Sequence, residues 1–137
     1  MKTIFSLQGI GGSGKTTTIT KLWVKLKGIG FISIYPIFKK NTDFIDILKY
    51  KKVIIGITTQ GDNYSIIKKK LRIMKKYNCN IMICACRTYG STIDAIMKYK
   101  YTERRFIPKT VSRTKKQRNS ANESDAKFML KSIKQLF

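Results

Sequence analysis

Residues Gly9 to Thr16 read GIGGSGKT and fit the pattern G-x-x-x-x-G-K-[ST]. From the chain's own composition such an octamer arises by accident about 0.015 times, before any structural context is required. A loop of this kind constrains the fold, because it must be strung between a buried strand and a helix N-terminus. Its glycines free backbone N–H groups to curl around a phosphate, and the unpaired amides and dipole of the helix favour the anion. Both flanks qualify. Thr3 to Leu7 is short and mostly apolar, and Thr17 to Lys27 carries Ile19, Leu22, Trp23 and Leu26 at the i, i+3, i+4, i+7 spacing of a helix. Gly28 is the expected stop.

Beyond this unit the pattern alternates. Gly30 to Phe38 is β-branched and aromatic and predicts a strand ending near Pro36. A short helix is expected next, capped by Asn41 or Thr42, with Asp43 in its first turn and Phe44, Ile47 and Leu48 as its stripe. The run Val53 to Ile57 suits a central parallel strand buried on both faces. Asn63 to Tyr77 places Tyr64, Ile67, Leu71 and Met74 on one side and five cations on the others, so it reads as a surface helix. Asn80 to Cys86 is a further buried strand, and Ser91 with Asp94 is a capping pair for a helix to about Lys100. Arg105 to Val111 is a weaker strand, and Lys109 to Asn119 a basic loop. Ser120 and Glu123 have capping-box spacing for a closing helix that reaches Phe137. Alternating strands and helices predict an α/β three-layer sandwich around a parallel sheet of about five strands, with ligands at the carboxyl ends.

With 137 residues the chain is expected to be one domain, residues 1–137. The apolar run after Lys2 is too short for a secretion signal, and the best membrane candidate, Ile29 to Phe38, is short and broken by Pro36. A soluble cytoplasmic protein with no membrane partner is expected. Cys79, Cys84 and Cys86 have no histidine beside them to complete a zinc site and read as small buried hydrophobes. Lys+Arg 29 against Asp+Glu 7 gives +22, which attracts polyanions, nucleic acid among them. The excess is mostly lysine, accompanied by isoleucine and asparagine, as AT-biased coding also produces. The charge by itself therefore leaves the partner open, as it does the oligomeric state.

On GIGGSGKT the chain resembles the P-loop NTPase superfamily, and on the order of its elements the kinase and GTPase branch. Only this Walker A motif is matched in full. The resemblance implies a P-loop NTPase fold that binds ATP with Mg²⁺. Phosphate contacts fall to Gly9, Gly11, Gly12, Ser13, Gly14, Lys15, Thr16 and Thr17, with Lys15 on the β/γ oxygens and the Thr16 hydroxyl on the metal. The superfamily's second metal residue is an Asp ending a strand, often as D-x-x-G. Here Thr58 stands at that strand end and Asp62 follows four residues later, either as the Mg²⁺ and catalytic carboxylate or as the cap of the next helix. Thr58 and Gln60 are weaker candidates for metal waters or the nucleophile. Arg87, after the strand ending at Cys86, is a candidate γ-phosphate or catalytic ligand, with Arg104, Arg105, Lys109 and Arg113 as further cations that could close over phosphates. The guanine-reading N/T-K-x-D is absent, since the matching strand end reads Cys86-Arg87-Thr88-Tyr89, which favours ATP.

Two functions fit. One is an enzyme that hydrolyses ATP or passes its γ-phosphate to a nucleotide or metabolite, with Asp43 or Asp46 as a base for a hydroxyl acceptor. The other is a nucleotide-dependent module that binds nucleic acid or protein with little turnover.

Overall fold

The computed structural model describes residues 2–35, 43–61, 63–101 and 103–137, and the backbone of 37 and 38. The expected strand end at Pro36, the caps Asn41 and Thr42, and Asp62 lie outside the described residues. The elements run β1 (Thr3–Gln8), α1 (Lys15–Ile29), β2 (Ile32–Ser33), β3 (Ile37–Phe38), β4 (Phe44–Tyr50), β5 (Val53–Thr58), α2 (Tyr64–Lys76), β6 (Ile81–Cys86), α3 (Ser91–Met97), β7 (Glu103–Pro108) and α4 (Lys115–Lys134).

The strands form one α/β sheet in the order β2-β4-β5-β6-β1-β7, with β3 also pairing β4. Strands β5, β6, β1 and β7 are parallel, whereas β4 runs antiparallel to β5, and β2 and β3 antiparallel to β4. The sheet is therefore mixed, which corrects the expectation of a purely parallel one. The cause is residues 44–50, which form a strand rather than the expected short helix. Phe44, Ile47 and Leu48 suit a helical stripe, but the same run also alternates. Phe44 and Leu48 enter the core under α1 and α4, while Ile45 and Ile47 enter the core under α2 and α3. A short apolar run bounded by polar residues satisfies both periods, and burial on both faces of a sheet decides for the strand. Asp46 shares the face of Phe44 and Leu48, where its carboxylate accepts hydrogen bonds from Trp23 Nε1 (2.8 Å), Ser33 Oγ (2.5 Å) and the backbone of Tyr35 and Ile47.

Helices cover both faces. Leu22 and Leu26 of α1 pack with Met129 and Ile133 of α4 on one side of the sheet, and Ile67, Leu71 and Met74 of α2 with Ile96 of α3 on the other. Helix α1 runs through Gly28 and ends at Gly30, whose φ of 131° only glycine adopts without strain and whose N–H caps Leu26 and Lys27. Helix α3 starts with no side-chain cap, so the expected Ser91–Asp94 pair does not form. Helix α4 begins five residues before Ser120, capped by the Thr114 hydroxyl on the Gln117 N–H (3.1 Å), so half of the expected basic loop is helix. Its early stripe is polar, with Asn122 and Asp125 buried, and this hid it from a hydrophobic pattern. Among the described residues no helix is long and apolar enough to cross a membrane.

Candidate functional site

Register brings the site together. Gln8, Cys86 and Pro108 lie side by side at the carboxyl edge, so the chain leaves β1, β6 and β7 at one level. Gly9 N–H donates to Cys86 O (3.1 Å) and Lys109 N–H to Gln8 O (2.7 Å), which fixes the first residue beyond each strand. Because β4 is antiparallel, its beginning reaches this same edge. A cleft of about 320 Å³ opens there, lined by Gly11, Gly12, Gly14, Lys15 and Thr16 from the loop and by Asp43, Thr59, Gly61 and Ala85 from across the sheet. Its volume lies at the lower end of small-ligand sites.

The loop conformation follows from its glycines. Gly12 (φ 73°) and Gly14 (φ 95°) take left-handed backbone, which turns successive N–H groups toward one side as an anion-binding concavity. Gly14 is fixed twice, because a Cβ there would come within 2.5 Å of Asn122 Oδ1, which also meets the Thr18 hydroxyl at 3.3 Å. Asn122 of α4 thus props the loop from behind, a role that no motif announced. The first turn of α1 carries no acidic residue, so its N-terminal field faces the cleft uncompensated. Lys15 Nζ folds back onto the carbonyls of Gly9 (2.5 Å) and Cys86 (3.1 Å), and Ser13 Oγ donates to Ile10 O (2.7 Å). Gly9 and Ser13 shape the loop without lining the cleft, and Thr17 is exposed on α1.

The other candidates divide. The guanidinium of Arg87 lies against Gly11, where an added Cβ would stand 2.7 Å from its Nη1. The Arg87 N–H donates to Thr92 Oγ1 (2.9 Å), which joins the same residue to the first turn of α3. Asp43 lines the cleft and accepts from Thr59 Oγ1 (3.0 Å), which itself accepts from Phe44 N–H (3.0 Å). Asp46 is fully buried with both oxygens bonded inside the fold, which removes it as a base. The Thr58 hydroxyl donates to Phe44 O and accepts from Gln60 N–H, so it shapes the turn after β5 rather than facing a metal. The helix after that turn is capped by Asn63, whose side chain accepts from Ile66 N–H (3.0 Å).

The remaining cations stand apart from the cleft. Arg104 donates to the carbonyls of Ile96 in the last turn of α3 and of Tyr99 just beyond it, and Arg105 pairs with Glu103 (2.8 Å) and covers Phe5. Both lie toward the amino end of β7, which parallel pairing puts at the far edge of the sheet. Lys109 is buried in an ion pair with Asp125 (2.9 Å), whose other bonds hold Thr110. Arg113 is exposed, and its carbonyl accepts from Arg118. The three cysteines are free and buried, and burial pushes the Cys79 and Cys84 thiols up to about 12 and raises Cys86 as well. They are inert packing groups at neutral pH. Among the described residues no cluster of three His, Cys, Asp or Glu side chains could hold a metal by itself. Compared with family models, curated proteins and solved structures, the chain finds no match.

Proposed function

We propose that the chain is a P-loop NTPase that binds Mg²⁺-ATP in this cleft and hydrolyses it or passes its γ-phosphate to a small acceptor. The observation that carries this reading is the convergence on one cleft of a left-handed glycine loop, a helix N-terminus, Lys15, Thr16 and a carboxylate, Asp43. On this reading the loop N–H groups cradle the β-phosphate, while Lys15 leaves its two carbonyls for the β/γ oxygens. Arg87, already against Gly11, supplies positive charge beside the γ-phosphate. Asp43, oriented by Thr59, accepts the proton of the attacking water or hydroxyl or holds metal-bound water.

The donor set suits Mg²⁺. The Thr16 hydroxyl and the Asp43 carboxylate are hard oxygen ligands, and this ion keeps several waters rather than demanding a full protein cage. When bound, it would neutralise charge on the β- and γ-oxygens. The absence of a guanine-reading motif favours ATP over GTP.

The test is ADP release from Mg²⁺-ATP by the parent and Lys15→Ala, with and without a pool of nucleosides, nucleotides and single-stranded DNA. Turnover that depends on Lys15 and rises with one additive supports the enzyme and indicates its acceptor. Tight ATP binding without turnover under any condition supports the second reading, a nucleotide-dependent binding module, which the net charge of +22 favours. Equal ATP affinity in parent and Lys15→Ala refutes both.

A further inference from the structure

We propose that the groove between α2 and α3 binds single-stranded nucleic acid. It is a depression of about 230 Å³ walled by Tyr64, Lys68, Arg72 and Lys75 of α2 and by Lys98 and Tyr99 at the end of α3. Four cations thus meet two aromatic rings, and among the described residues no carboxylate lines the groove. Helix α2 contains no acidic residue, and the single one on α3, Asp94, lies one turn before Lys98.

The pairing of charge with rings identifies the ligand. Lys98 Nζ and Lys68 Nζ stand 5.5 and 5.9 Å from the centroid of the Tyr64 ring, and Lys75 Nζ stands 5.9 Å from that of Tyr99. Tyr99 is held in place by its hydroxyl, which donates to Leu71 O (3.0 Å). A base that stacks on such a ring moves the ammonium outward onto the adjoining phosphate, which satisfies ring and cation at once. Only a strand with unpaired bases offers both partners, since a duplex keeps its bases stacked inside and presents phosphates alone.

A second basic groove serves as an internal control. Lys25, Lys127, Lys131 and Lys134 line a larger depression of about 470 Å³ between α1 and α4, with Leu130 and, among the described residues, no aromatic one. If charge alone recruited the ligand, the two faces would bind equally.

The experiment measures fluorescence anisotropy of a labelled 12-nucleotide single strand and of the corresponding duplex, without nucleoside triphosphate, so its result is independent of ATP binding. The parent is expected to bind the single strand at least tenfold tighter than the duplex. The groove variant combines Lys68→Ala, Arg72→Ala, Lys75→Ala and Lys98→Ala, all at exposed positions. Four phosphate contacts on a single strand correspond to a salt slope of about −3, so raising salt from 50 to 200 mM should weaken the parent by about 50-fold more than this variant. Tyr64→Leu, which keeps an apolar group in the packing, should lose about tenfold on the single strand only, and Tyr64→Phe should restore it. The charge-matched control takes Lys127→Ala, Lys131→Ala and Lys134→Ala from the second groove and, because Lys25 is ion-paired with Glu123, Lys116→Ala from the first turn of α4 in its place, and should lose less than threefold. Equal loss in the two quadruple variants, or unchanged affinity in Tyr64→Leu, overturns the proposal. Binding to phosphatidylserine vesicles that depends on the groove lysines, without preference for a single strand, overturns it in favour of a lipid surface.

Discussion

Asp46→Asn tests whether the buried carboxylate of β4 holds the sheet together rather than serving chemistry. Four donors converge on it. Trp23 Nε1 and Ser33 Oγ reach Oδ2, and the N–H groups of Tyr35 and Ile47 reach Oδ1. An asparagine must keep its oxygen toward the two backbone N–H groups, so its NH₂ faces Trp23 and Ser33. The serine hydroxyl can turn to accept, but the indole N–H cannot and loses its carboxylate acceptor, at about 1–3 kcal/mol. The bonds that remain change from a charged to a neutral acceptor and weaken by roughly 1 kcal/mol each, giving a total near 4 kcal/mol. With a urea m-value of about 2 kcal/mol/M, the unfolding midpoint should fall by about 2 M. Trp23 is the only tryptophan of the chain, so its fluorescence reports both the local loss and global unfolding, with far-UV circular dichroism as the second probe. On the proposed function, turnover per folded molecule should be unchanged. A midpoint shift below 0.5 M would refute the accounting, and a specific loss of turnover with the shift absent would return Asp46 to the site.

Asp43→Asn should show the opposite division, with stability within about 1 kcal/mol of the parent because a single side-chain bond from Thr59 changes, and turnover down by about 10²–10⁴-fold in ADP release. Gly14→Ala should abolish ATP binding in calorimetry and lower stability by at least about 1–2 kcal/mol, since the left-handed backbone and Asn122 both oppose a Cβ. A thiol raised by burial keeps its proton in the fold while the unfolded chain loses it, so stability should decline as pH rises through 9 toward 12. The slope approaches about 1.4 kcal/mol per pH unit for each such thiol, and Cys84→Ala should remove one of these contributions from urea midpoints measured between pH 8 and 10.5.

The loop and its two flanks were legible because the chemistry is local. An octamer, a short apolar run and a 3.6-residue stripe specify β1, the turn and α1 without reference to the rest of the chain. The strands at 53–58 and 81–86 and helix α2 were readable for the same reason. What could not be read is what tertiary packing decides. The hairpin from β4 to β5 turns on Lys51 and Lys52, with Lys51 at φ 54° and no Gly or Asn to signal it, so neither the strand nor its direction was visible. That direction is what carries Asp43 into the cleft and Asp46 out of contention. Similarly, Asn122 and Asp125 are polar groups spent on the loop and on Lys109, and a hydrophobic pattern cannot place the helix that bears them.

The position of β1 has a consequence for how the molecule comes into being. Its two neighbours in the sheet, β6 and β7, lie some 80 and 100 residues further along the chain, and the residue that props Gly14 comes later still, in α4. The glycine loop therefore lacks both neighbours of β1 and its Asn122 backing until the chain has been made through β6, β7 and the first turns of α4. Contacts of such sequence separation form late, after the closure entropy of the intervening chain has been met. A chain shortened before Asn122 should therefore carry an intact GIGGSGKT sequence and, on the proposed function, fail to retain ATP, which would make nucleotide capture a report on completion of the fold.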